Sequence, residues 1–396
     1  MFAPVRLYIA GEENPDVLAI LTENIRDPLS TISDLRAQRA ACLLGRTRLG
    51  EAVARWSEVT IESAFEQALD AVERAVRVAL AELPDGNGEA EGFMDDDGRG
   101  GPPTRIHVHM SKRADTLTID LSGCASQVAG ALNVPWASTR AGLVYAVRAL
   151  TDPRITSNDG MLRPLKVICP FGNVLNPRPP AAVSVRHNTC QRLADTIFRA
   201  AAEIWPEKSI GGSSVAFFGC NIESISPLTG HPSVLSDVIG GGTGAHRGGD
   251  GIDGVDTYMS NVGLMPIEVA ETNYSVRILR TELIPGSQGL GTYSGGMGIR
   301  RDYQVLDVPH RATFYAEQTN PAFRPRGVRG GGDAAPTNVL LFDGRGRPIP
   351  IPPKVSMTLE PGSIIRVETS GGAGYGPHAR RDPHATEVDE ADGRHR

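Results

Sequence analysis

Aromatic side chains make up only 5% of the 396 residues, so large aromatic anchors are scarce. Cysteine is as sparse: Cys42, Cys124, Cys169, Cys190 and Cys220 are scattered and never spaced as CxxC. That excludes a disulfide framework or a structural zinc knot and fits reduced, mostly buried thiols. No apolar run approaches the ~20 residues that span a bilayer. The opening Met1-Phe2-Ala3-Pro4-Val5-Arg6 lacks a basic stretch followed by an apolar one, so no signal peptide is read and a cytoplasmic location is expected. The net charge of −6 gives no basic footprint for nucleic acid. No glycine-rich run leads into Gly-Lys-Ser/Thr, and none sits in a strand-then-helix dinucleotide frame, so no nucleotide or other cofactor is expected on this chain.

Glycine is abundant: 45 glycines and 29 prolines form nearly a fifth of the chain. The hydrophobic pattern changes along it. Residues 1–86 read as helical, with Thr60 capping a helix from Thr60 to Leu83 whose inner stripe is Ile61, Phe65, Leu69, Val72, Val76 and Leu80. Before it, Leu29 to Trp56 offers Ile32, Leu35, Leu43, Leu44, Leu49 and Val53 for burial, with a break expected near Gly45. Residues 87–212 are mixed. Ile106, Val108 and Met110, then Leu117, Ile119 and Leu121, alternate as a β-hairpin, and helices follow at 138–150 and from Thr189 to Trp205. Residues 213–377 are β-rich and glycine-dense, with short runs at 215–218, 276–279, 303–306, 313–315, 339–342 and 364–367. The charged tail, 378–396, reads as disordered. The fold class is α+β: a helical front, a mixed middle and a β-rich back.

Two stretches offer chemistry. In the segment from Ile239 to Asn261, glycines permit close approach of backbone amides, and His246, Arg247 and Asp250 lie among them. An active-site loop and a purely structural loop are both open readings. In the second, Arg186-His187-Asn188-Thr189-Cys190-Gln191-Arg192 opens a helix. Asn188 with Gln191 fits a capping box, and a helix start with Thr189 and Arg192 suits an anion. Cys190 is either a buried thiol or a nucleophile. His107 and His109 share one strand face but have no third ligand nearby, and Asp95-Asp96-Asp97 reads as a charged turn.

Ordered strings run through the chain: Ser33-Asp34-Leu35-Arg36-Ala37-Gln38, Asp95-Asp96-Asp97-Gly98, Asn176-Pro177-Arg178-Pro179-Pro180, Gly240-Gly241-Gly242-Thr243-Gly244-Ala245 and Gly295-Gly296-Met297-Gly298. Together they resemble the hydantoinase B/oxoprolinase family over nearly the whole sequence. The resemblance implies a subunit for ATP-dependent opening of a small cyclic amide. An A-type partner subunit would carry ATP and Mg. Ketone carboxylase subunits and a non-catalytic scaffold are the alternatives. The resemblance also implies a region before this one, with His/Asp clusters, which a separately encoded N-terminal B-type segment could supply. The family metal site is expected there, so no metal is expected on this chain. At the helix start Gln191-Arg192 matches the family string, whereas its glycine and acid are absent. The site expected from the residues and the resemblance together is His246 and Asp250 as catalytic groups, with Thr189, Gln191, Arg192, Gly241, Gly242 and Arg247 around the substrate.

Overall fold

The structure, a computed structural model, describes residues 4–25, 27–215 and 218–394. A small ladder of β1 (Tyr8–Ile9) and β2 (Glu12–Glu13) precedes α1 (Pro15–Glu23), α2 (Pro28–Trp56) and α3 (Glu58–Ala81). Proline at the first helical turn and a carboxylate or amide cap start the first two helices: Asn14 accepts from the Asp16 amide at 3.2 Å, Asp27 from the Ser30 amide at 3.1 Å. α2 runs unbroken through Gly45, contrary to the expected break. A single exposed glycine costs only about 1 kcal/mol, less than a helix of this length gains from its remaining turns. The cap of α3 is Ser57, one turn earlier than Thr60, whose amide it receives.

The helical front contributes less core than its periodicity suggests. α2 has no buried residue, and only Val72, Val76 and Leu80 of α3 are buried. Val59 and Phe65 stay exposed, so the α2–α3 pair stands out as an arm. The buried end of α3 joins the first unit. Its sheet runs β3 (Gly86–Met94), β4 (Thr104–Arg113), β5 (Thr116–Asp120), β6 (Leu165–Ile168), antiparallel except for the β5–β6 pair. The expected hairpin is β4–β5. Helices α4 (Trp136–Leu150) and α5 (Arg186–Ile204) complete its core with Leu143, Val147, Leu193 and Ile197. Gly86, Gly88 and Gly92 recur along β3 because α5 lies across it. A Cβ at Gly88 would stand 2.1 Å from the Ala200 carbonyl oxygen, and one at Gly92 2.6 Å from Thr196 Oγ1.

The second unit is a sandwich around one apolar core. One sheet is ordered β14 (Lys354–Leu359), β11 (His310–Tyr315), β7 (Phe218–Ile225), β8 (Pro232–Ile239). The other is β13 (Pro348–Ile349), β12 (Asn338–Phe342), β15 (Ile364–Glu368), β10 (Ile299–Val305), β9 (Val276–Leu283), with α6 (Ile267–Asn273) beside it. The predicted apolar runs fall in these strands; the first, 215–218, lies partly outside the described residues.

Between strands, glycine strings from four places interlock as a layer of backbone. Gly242 N–H donates to Ser370, Gly296 N–H to Thr243, Gly372 N–H to Gly296 and Gly374 N–H to Gly332. A Cβ at Gly372 would lie 1.7 Å from the Thr243 carbonyl oxygen, so no other residue fits there. The tail read as disordered is instead ordered through α7 (Pro383–Ala391). Its charges are paired: Arg381 with Asp250 and Asp389, and Arg394 with Asp253.

Candidate functional site

A cleft of about 370 Å³ opens where the two units meet. β3 supplies Glu91, Gly92 and Phe93; α5 supplies Arg192, Asp195 and Arg199; the sandwich unit supplies Gln318 and the 322–328 loop. The α5 residues recur at three and four positions, one polar stripe facing the glycine notch in β3. Phe93 stacks on Phe323 with ring centroids 5.0 Å apart, giving a flat apolar wall.

Arg192 is the unusual member. Its side chain is 5% exposed, and Nη1 donates to Asp195 Oδ2 at 3.2 Å. Nε and Nη2 have no hydrogen-bond partner and are shielded from water. A buried donor without a partner is costly, which sets Arg192 apart from the other arginines of the cleft. Asn188, one turn earlier on the same helix, is fully buried with both amide atoms unpartnered. The other three arginines of the cleft are engaged. Arg199 donates to the Glu91 carbonyl at 2.7 Å, and Arg324 and Arg326 pair with Asp333.

The remaining expected site residues do not gather here. α5 starts at Arg186, so Asn188 is already inside the helix and makes no capping box. Thr189 donates to the Leu132 carbonyl at 2.8 Å, and Gln191 accepts from the Met259 amide at 3.0 Å; both side chains brace the helix. The amides of Gly241 and Gly242 are taken by the Val255 and Ser370 carbonyls, and a Cβ on either would strike neighbouring atoms. These glycines serve close packing, leaving no free amide for a ligand. Asp250 accepts Arg381 through both oxygens, at 3.0 and 2.9 Å, and the Ser294 amide. Burial raises its carboxyl, but Arg381 and the amide outweigh that and hold it below the ordinary carboxylate range. It is a clamp for the tail. His246 and Arg247 line a separate cleft of about 340 Å³ with Tyr145, Phe198 and Tyr258, and Arg247 pairs there with Glu207. Burial pushes the Cys190 thiol up to about 11, opposite to what a nucleophile requires.

Asp195, Arg199, Gln318 and the 322–328 loop escaped the sequence reading. The spacing of 192, 195 and 199 was the available signal, masked because the same helix carries an apolar stripe one step round. Asp95 was also misread. It is buried, and its Oδ2 accepts from the Thr319 amide and hydroxyl at 2.7 and 2.6 Å, tying the two units together.

Among the described residues, no three His, Cys, Asp or Glu side chains are placed to hold a metal ion, and His107 pairs with Glu89. No helix is long and apolar enough to cross a membrane among the described residues.

Fold and cleft together define a two-unit α+β protein with a polar cleft at the unit junction. The chain belongs to the hydantoinase B/oxoprolinase family, whose model matches residues 1–378. It is 30% identical to a Pseudomonas sp. strain NS671 protein assigned as the B-type component of a D-/L-hydantoinase, over 99% of this chain and 67% of that protein. In fold it resembles the ATP-dependent caprolactamase of Pseudomonas jessenii, with a TM-score of 0.86 at 23% identity, covering 100% of this chain and 69% of that one. It also resembles a nucleotide-free acetone carboxylase, with a TM-score of 0.81 at 18% identity, covering 98% and 58%. The chain thus spans about two thirds of that hydantoinase component and under a third of the 5-oxoprolinases it matches.

Proposed function

We propose that this chain is the B-type subunit, or the larger part of it, of an ATP-dependent hydrolase that opens a small cyclic amide. Family membership gives the class, and one observation supports the site: the buried Arg192 guanidinium among the residues lining the junction cleft, with Nε and Nη2 not hydrogen-bonded within the chain. Arg192 holds an anionic group of the substrate or of its phosphorylated form. An A-type partner carries ATP and its magnesium, and a metal, where the assembly uses one, is held outside this chain. The exposed Trp56, Val59 and Phe65 on the α2–α3 arm support a second polypeptide docking there.

The test is reconstitution. The chain is combined with an A-type subunit and an N-terminal B-type segment and supplied with ATP and hydantoin, 5-oxoproline or caprolactam. ATP-dependent ring opening that Arg192→Ala reduces by roughly a hundredfold is the expected result. Carboxylation of a ketone with no amide turned over would sink the reading, and so would no turnover at all.

A further inference from the structure

Aromatic residues make up only 5% of the chain, yet three of them meet in the cleft that holds His246 and Arg247. Tyr145 of α4, Phe198 of α5 and Tyr258 each touch the other two. Their ring centroids lie 6.1 Å (Tyr145–Phe198), 6.3 Å (Tyr145–Tyr258) and 5.3 Å (Phe198–Tyr258) apart, at interplanar angles of 54–67°. Rings tilted in this way offer both faces and edges to a further ring. Tyr258 joins them from a left-handed backbone conformation, φ +56°, fixed by its hydroxyl donating to Asp195 Oδ1 at 3.2 Å. Phe198 is buried, whereas Tyr145 and Tyr258 are half-buried, so the three form a floor with an open side. Ala149, Leu150 and Ile210 extend this apolar floor, and the space of about 340 Å³ takes one substituted six-membered ring.

The rim of this cleft is ionic and unbalanced. Glu207 is the one carboxylate among its lining residues, and Arg247 pairs with it. His246 Nδ1 donates to the Arg247 carbonyl at 3.0 Å, which turns the imidazole onto its own loop. Burial pushes the Tyr145 phenol up to about 12, so it adds no negative charge. Lys208 stands apart: half-buried at the cleft, its ammonium has no ion pair or hydrogen bond among the described residues. A cation held beside an apolar floor without a partner favours an anion seated there. One cation paired and one unpaired suit a single negative charge. We propose that this cleft is a second ligand site, separate from the junction cleft, for a small aromatic monocarboxylate. The ring packs on Tyr145, Phe198 and Tyr258, and the carboxylate meets Lys208. The two clefts share only the side chain of Ile210 in their linings and are parted by the Tyr258–Asp195 hydrogen bond. The site does not depend on the functional reading of the junction cleft.

The test is equilibrium binding to the full 396-residue chain, by calorimetry or ligand-observed NMR. The probes are benzoate, benzamide (the same ring without the charge) and acetate (the charge without the ring). Benzoate binds roughly tenfold or more tighter than either of the others. Lys208→Gln removes the preference for benzoate over benzamide and leaves benzamide as it was. Ala149→Trp places an indole in the cleft from an exposed position on α4 and abolishes binding of both ring probes, with an unchanged melting temperature reporting an intact fold. Tyr145→Ala, which removes part of the floor, serves if that variant fails to fold. Phe323→Ala, in the junction cleft, leaves benzoate affinity unaltered. No binding of benzoate, equal affinity for benzoate and benzamide, or a benzoate preference that survives Lys208→Gln would overturn the proposal. So would loss of benzoate binding on Phe323→Ala with Ala149→Trp silent, which puts the ring in the junction cleft instead.

Discussion

Lys354 Nζ stands 2.7 Å from Glu317 Oε1, with the two side chains 8% and 1% exposed. The other Glu317 oxygen accepts the Asp95 amide at 2.7 Å, so the pair in the sandwich unit anchors the end of β3 in the first unit. A buried ion pair of this kind joins the units at the flank of the cleft, and its protonation is felt in stability.

Burial pushes the Glu317 carboxyl up to about 7, against the opposing pull of Lys354. A raised carboxyl contributes stability that is fully present below its unfolded pKa, near 4.5, and is lost as pH rises through about 7. Glu317→Gln removes that loss. Its melting temperature should gain on the wild type between pH 5 and pH 8, measured by thermal unfolding across the range. A gap that stays constant with pH would contradict the assignment.

The interlocked glycines predict a sharp contrast. Gly372→Ala places a methyl group 1.7 Å from a carbonyl oxygen that belongs to backbone and cannot swing away. The expected destabilisation is about 3 kcal/mol or more. Gly45→Ala has open space around it within α2 and should stabilise that helix by about 0.5–1 kcal/mol. Chemical denaturation reads the first, and amide exchange over residues 28–56 reads the second.

Arg381→Ala should free the tail. The change takes Arg381 from Asp389, which is 4% exposed. Removing one side of a buried pair costs about 3–5 kcal/mol. Protease cleavage within residues 383–391 should therefore rise, with the sandwich core still intact. Acid should produce the same release in the wild type. The lowered Asp250 pKa contributes stability above the ordinary Asp range, and this is lost as pH falls through the folded value.

The arm gives a test of assembly. Phe65 is 58% exposed, so Phe65→Glu should leave the melting temperature of the chain alone nearly unchanged, within about 0.5 kcal/mol. The same variant should lose co-purification with the proposed partner polypeptide. Retained assembly would place the partner elsewhere.

The sequence was most legible where one face of an element meets one core. The β4–β5 hairpin and the α5 stripe of Leu193 and Ile197 lie where alternation and helical period put them. Periodicity misled at α2, because an apolar stripe signals a face that needs covering and does not say whether this chain covers it. Arg192 stood out in the sequence because its charge sits near a helix start; in the structure the helix begins earlier, at Arg186, and what sets Arg192 apart is its burial with Nε and Nη2 not hydrogen-bonded within the chain. The surroundings of Arg192 beyond its own helix were not legible. Asp195 and Tyr258 are 63 positions apart, and Gln318 arrives from the other unit. Gly241, Gly242 and Asp250 were read as ligand groups because glycine and carboxylate signal close approach. Both approach other parts of the same chain.

The five-stranded sheet puts β15, its last strand in sequence, between β12 and β10. A nascent chain emerging from a ribosome would therefore present β9, β10 and β12 with a gap at their centre until residue 368 appears. β15 is a keystone, not an appendage. Truncation shortly before β15 would be expected to expose Val305 and Leu341 and turn a folded chain into an aggregating one, whereas the first unit has its sheet and helices by residue 204 and its last core contacts by Met259, well before that point.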